Sequence, residues 1–161
     1  MKYKLEHIRY LNLPAIPQLL IDNFVARSRL FPDMTQPYYH AVEYDLLGEI
    51  NQWGQEFICN SSYISANIIK GDLATHRDRI SSHLSNRPLQ PASKLCYMVS
   101  AGGSNVKTTF YEDDCSTVIN EYIIQPNKWF LFDSYTNHAV HGIEPDNVRL
   151  VFISQMLHIL V

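Results

Sequence analysis

The chain has 161 residues, 46% of them hydrophobic, enough for one ordinary domain that buries roughly 70% of the surface its unfolded form would expose. Its 13 basic and 16 acidic residues give a formal charge of -3 with no long run of either sign, so it lacks the electrostatic footprint of a nucleic-acid or anionic-membrane binder. No stretch reaches the roughly 20 apolar residues of a membrane span, and the opening MKYKLEHIRYLNLP lacks a signal peptide's apolar core; a cytoplasmic protein with no nucleic-acid or membrane partner is expected.

In chain order, residues 16–30 place Ile16, Leu19, Leu20, Phe24 and Leu30 near one face at helical spacing, with Pro14 and Pro17 where a first turn tolerates them. After the proline-punctuated FPDMTQPYYH, residues 42–53 carry Leu46, Leu47, Ile50 and Trp53 in a second helical pattern. Residues 1–60 are therefore expected to form a helical cover.

From Tyr63 the character changes. YISANIIK, KLCYMVSA, KTTFYE, EYIIQ, KWFLF, HAVHGI and VRLVFISQML are short, rich in β-branched and aromatic residues, and separated by Gly, Pro, Asn or Asp. Seven or eight strands without long helical interludes predict an antiparallel sandwich or barrel such as a jelly roll over residues 61–158, within a single domain of 1–161. Cys59, Cys96 and Cys115 are odd in number, far apart and form no Cys-x-x-Cys pair, which predicts reduced core or near-core thiols.

The chemistry starts at His76-Arg77-Asp78, after a predicted strand and the turn residues Gly71 and Asp72. In an extended segment, side chains at i and i+2 point the same way, so His76 and Asp78 can converge on one ion. Imidazole plus carboxylate suits Fe(II), and a distant histidine would complete a facial triad with open positions. The alternative is a loop histidine beside an aspartate paired with Arg77 or Arg79, and most bare triplets of this kind are that.

Farther along, PNKWFLFDSYTNHAVHGIEPDNVRLVFIS offers a turn, a strand, a loop, His138, an apolar strand and then Arg149 opening a final strand. The order His-x-Asp, Trp-Phe-Leu-x-Asp, His-x-Val and a following Arg resembles the 2-oxoglutarate/Fe(II)-dependent oxygenases. Within them it is most similar to the aspartyl/asparaginyl β-hydroxylase and proline cis-4-hydroxylase branch. The resemblance covers residues 63–156 and rests on several short motifs in the right order.

It implies a double-stranded β-helix, the jelly roll shared with cupins. It also implies that His76, Asp78 and His138 hold Fe(II), that Arg149 binds the far carboxylate of 2-oxoglutarate, and that dioxygen serves to hydroxylate a C–H bond of a small-molecule or peptide substrate. A guanidinium fork matches a carboxylate, in keeping with that role for Arg149. His141 is an alternative distal ligand. His138 is preferred because it leads His-x-Val and stands eleven positions before Arg149, whereas His141 stands eight before it.

Tyr97 is a second candidate for the 2-oxoglutarate carboxylate, and Asn67, Lys107, Thr109 and Trp129 are candidates to line the pocket. Arg77 and Arg79 are solvated loop charges or steer an acidic substrate, and the polar loop 82–91 is expected to set specificity. His40, His83 and His158 have no partner at ligand spacing. Two competing readings remain: a cupin-like metal barrel that needs no Arg149, and a binding module without chemistry.

Overall fold

A computed structural model of the chain describes residues 6–28, 38–42, 44–59, 63–78 and 93–155. The elements begin with β1 (Ile8–Leu11), α1 (Gln18–Ser28), β2 (Tyr38–Ala41) and α2 (Tyr44–Phe57). There follow β3 (Tyr63–Ile69), β4 (Leu73–His76), β5 (Ser93–Ala101), β6 (Lys107–Tyr111) and β7 (Val118–Tyr122), then β8 (Trp129–Asp133), β9 (Asn137–His141) and β10 (Arg149–Gln155). Among these residues no helix is long and apolar enough to cross a membrane.

Among the described residues the fold is mostly β, with two helices and two antiparallel sheets. The larger sheet runs β1-β8-β5-β10-β3-β2 and the smaller β4-β9-β6-β7. Strand alternation sorts the larger sheet's side chains onto two faces. Ile64, Ala66, Ile68, Leu95, Tyr97, Trp129, Leu150 and Phe152 join Ile21, Phe24, Leu47 and Ile50 of the helices in one apolar cluster. On the other face Cys96, Met98, Phe130, Val151 and Ile153 meet Phe110 of the smaller sheet in a second cluster.

Each helix is fastened locally. The Pro17 carbonyl accepts the first helical bonds of α1, from Leu20 N at 3.0 Å and Ile21 N at 3.3 Å, the position where a proline at the helix start does no harm. Buried Asn51 of α2 donates to the Ile64 carbonyl (2.9 Å) and accepts from Ile64 N (2.6 Å), which ties the helix to β3.

Residues 1–60 are more than a helical cover: β1 pairs with β8 and β2 with β3, so this region supplies both edge strands of the larger sheet. Each is four residues long, too short for alternation to be recognised in a proline-rich context. β4, LATH, has one β-branched residue and was likewise not foreseen as a strand. β7 lies at Val118–Tyr122, three residues earlier than EYIIQ: Ile123 is exposed, and buried Ile124 reaches the intersheet cluster from beyond the strand end. No disulfide joins the three cysteines; Cys96 is buried, but Cys115 is exposed between β6 and β7, against the expected core placement.

Candidate metal centre

β4 and β9 are neighbours in the smaller sheet, in a register that sets His76 opposite His138. Asp72 secures this pairing from its far end by accepting from Gly142 N (2.8 Å) and Ile143 N (3.1 Å). Gly142 has φ +85°, and a Cβ there would stand 2.9 Å from the Asn105 carbonyl oxygen, so only glycine makes this turn without displacement. Asp78, two residues past His76, is held by its own N–H on the Ser134 carbonyl at 3.1 Å.

The three side chains converge as a result. Asp78 Oδ1 lies 3.6 Å from His76 Nε2 and 3.8 Å from His138 Nε2, and one donor atom from each residue falls within 4.8 Å of the others. His76 Nδ1 faces the Ala74 carbonyl at 2.7 Å and His138 Nδ1 the Thr136 carbonyl at 2.9 Å. A carbonyl only accepts, so each Nδ1 carries a proton, and each Nε2 is the ring nitrogen left on the side of Asp78, free to ligate a metal once that ring is neutral. This N,N,O set can hold a divalent metal ion.

The loop that delivers His138 is shaped by Asp133, whose carboxylate accepts from Tyr135 N (3.0 Å), Thr136 N (3.2 Å) and the Thr136 hydroxyl (2.6 Å). Lys94 Nζ lies 2.8 Å from Asp78 Oδ2, the other oxygen of the carboxylate.

Electrostatics differ across the cluster. The hydrogen bond with Asp78 raises the pKa of His76 against the effect of burial, whereas burial dominates at His138 and lowers it. For Asp78, burial works upward but is outweighed by His76 and Lys94, which hold the carboxyl well below its usual range. The carboxylate is ionised and His138 neutral at neutral pH, the states that metal ligation requires.

The cluster opens onto a cavity of about 450 Å³ between the sheets, walled by apolar side chains including Ile69, Phe130, Val140, Val151 and Ile153. Arg149 lies on the same cavity from β10, the central strand opposite, and is only 4% exposed. Its Nη2 donates to Thr108 Oγ1 at 2.9 Å, while Nη1 is buried with no hydrogen-bond partner among the described residues. Burial lowers its pKa to about 10, which leaves it charged at neutral pH. Gly102 (φ +89°) lets the end of β5 approach the Arg149 backbone: a Cβ there would stand 3.1 Å from Arg149 N.

His141 is not part of the cluster; it is exposed at the end of β9, with Nε2 3.1 Å from the Tyr111 hydroxyl. Tyr97 does not line the cavity, against the expected role at the 2-oxoglutarate carboxylate. Its side chain lies on the helix face in edge contact with Trp129 and bonded to the Ile16 backbone, because Cys96 and Met98 hold the inward phase of β5. Trp129 shares that face, donating Nε1–H to the Pro14 carbonyl.

Thr109 and Lys107 both bond Glu121 on the outer face of the smaller sheet, and it is Thr108 that lines the cavity. Asn67 does line it and accepts from the Tyr38 hydroxyl at 3.0 Å. His40 Nδ1 also meets Asn67 Oδ1, a partner not foreseen in the sequence. Arg77 reaches Asn137 and Asp113 and lies over the Tyr135 ring. Arg79, His83, His158 and the loop 82–91 lie outside the described residues.

No protein-family model and no curated protein sequence matches this chain.

Proposed function

We propose that this protein is a 2-oxoglutarate- and Fe(II)-dependent dioxygenase that hydroxylates a C–H bond of an amino acid or a protein side chain. Two imidazoles and one carboxylate suit Fe(II), but a zinc hydrolase or another metal barrel can use a similar set. The observation that carries the reading is Arg149. A buried guanidinium with an unpartnered Nη1, on the same apolar cavity as the cluster, is costly unless an anion completes it.

A dicarboxylate answers both ends of that cavity. Arg149 would take the far carboxylate with Thr108 beside it, and the keto-acid end would meet the metal held by His76, Asp78 and His138. With dioxygen, the bound iron and 2-oxoglutarate supply oxidative C–H hydroxylation with release of succinate and carbon dioxide. The chain would orient the three ligands, balance the co-substrate's charge and wall the chamber largely with apolar side chains. The same cavity, with Asn67 and Tyr38 on its lining, is the place for a small-molecule or peptide substrate.

The strand order supports a jelly roll as the underlying fold. With the edge strands β1 and β2 set aside, β3 to β10 divide into two interleaved sets of four, β8-β5-β10-β3 and β4-β9-β6-β7. That interleaving is the order expected of a double-stranded β-helix, the eight-stranded double sheet that cupins also use.

Anaerobic addition of Fe(II) and 2-oxoglutarate to the metal-free protein tests the function. A weak visible charge-transfer band is expected in the parent and in His141→Ala, and is expected to vanish in His138→Ala. Iron uptake without a band in the parent would favour a metal barrel that does not use 2-oxoglutarate. A parent that retains no iron would turn attention to a binding module.

A further inference from the structure

We propose that Lys94 is a positioning residue that holds Asp78 as a one-oxygen ligand and thereby keeps one coordination position of the metal open. The inference rests on the metal-centre reading above and adds a residue to it.

Lys94 is the second residue of β5 and shares its inward phase with Cys96 and Met98, which lie in the cluster between the sheets. A lysine in that phase is unusual, since its charge is expensive to bring toward an apolar interior without a partner. Among the described residues its partner is Asp78 Oδ2, at 2.8 Å. The other oxygen, Oδ1, is the one that faces His76 Nε2 and His138 Nε2. The two oxygens of one carboxylate are thus assigned to different tasks.

The division matters because a carboxylate with both oxygens available can bind a hard cation through one or through both. Three one-atom donors on an octahedral ion leave three positions, enough for a two-point keto acid and dioxygen. A two-oxygen carboxylate removes one of those positions. Lys94 prevents this by occupying Oδ2 with a charge-assisted hydrogen bond. The backbone of Asp78 is fixed separately through Ser134, so the amine governs the carboxylate and not the chain.

The test loads the full chain with Mn(II) alone and counts its exchangeable waters by pulsed electron paramagnetic resonance in isotopically labelled water, with no turnover involved. Lys94→Met and Lys94→Gln are expected to lose one exchangeable water relative to the parent. Lys94→Arg, which keeps a cationic donor, is expected to retain the parental count. Should Lys94→Met fail to fold, Lys94→Gln reads the same quantity with a polar group at this half-buried position. A parent that binds Mn(II), with Met and Gln variants that keep its water count, overturns the role of Lys94 and leaves the metal centre standing. A parent that takes up no Mn(II) overturns the metal centre and this inference with it.

Discussion

The two faces of the larger sheet are made by alternate residues of the same strands, yet they have opposite characters. The face under the helices is filled: Leu150 and Phe152 of β10 lie in one apolar cluster with Phe24, Leu47 and Trp129. The face toward the smaller sheet is underfilled: Arg149, Val151 and Ile153, one residue out of phase, border an open chamber with a charge in it. Close packing on one side supplies the stability that lets the other side keep a cavity and an unpaired guanidinium.

The largest effect should come from the filled face. Phe152 is fully buried and packs edge-on to Phe24 with ring centroids 5.1 Å apart, so Phe152→Ala is expected to cost about 3–5 kcal/mol in denaturant unfolding of the metal-free protein. Ile153→Val, next in sequence but on the chamber side, should cost only about 1 kcal/mol.

Arg149→Met reverses the contrast. It removes a buried charge whose Nη1 has no partner, so the unfolding midpoint should hold or rise. 2-Oxoglutarate binding, measured anaerobically with the metal present, should weaken by about 2 kcal/mol or more, some 30-fold. A variant that loses stability and keeps its affinity would mean that this arginine belongs to the core.

Asp133→Ala should weaken both properties together, because its three acceptor contacts shape the loop before His138. About 1–2 kcal/mol of stability and about 10-fold in metal affinity are the expected losses, read by unfolding and by competitive metal titration.

The smallest effect is a pH dependence at His7, which stacks on Phe110 in the intersheet region with Asp133 beside Nδ1. Burial lowers its pKa while Asp133 opposes. The unfolded chain therefore binds more protons, and this contribution is present above about pH 6.5 and lost as pH falls. In metal-free protein the lowered His138 acts in the same sense and the raised His76 in the opposite one. His7→Phe should lessen the loss of stability on acidification, followed by unfolding at pH values on either side of 6.5.

The sequence made the His76-x-Asp78 pair legible because two-residue spacing in extended chain has one geometric meaning, and the described β4 ends in that conformation. For the histidine opposite it offers a preference for His138 from motif offsets alone, since the pairing depends on the β4–β9 register set by Asp72 and Gly142 from separate turns. The strong β segments announced themselves by composition, whereas β1, β2 and β4 are strands because of the neighbours they pair with. Tyr97, Trp129 and Thr109, candidates for the cavity, stand on the faces turned from it; phase is invisible where both faces of a strand are buried. Lys94 was passed over for a related reason: a lysine in a chain reads as surface until its partner is known.

The aspartate of Trp-Phe-Leu-x-Asp shows what a motif can hide. Asp133 touches none of the three ligand side chains; it ties up the turn through which the chain arrives at His138.

The imidazoles of His76 and His138 are oriented by the same device, an Nδ1–H given to the carbonyl two residues upstream, Ala74 for one ring and Thr136 for the other. Because those acceptors belong to the main chain, no single codon change deletes them. The aim of the two Nε2 atoms is thus insulated from drift in the side chains around the chamber, and a lineage could remodel the walls while inheriting the aim unchanged.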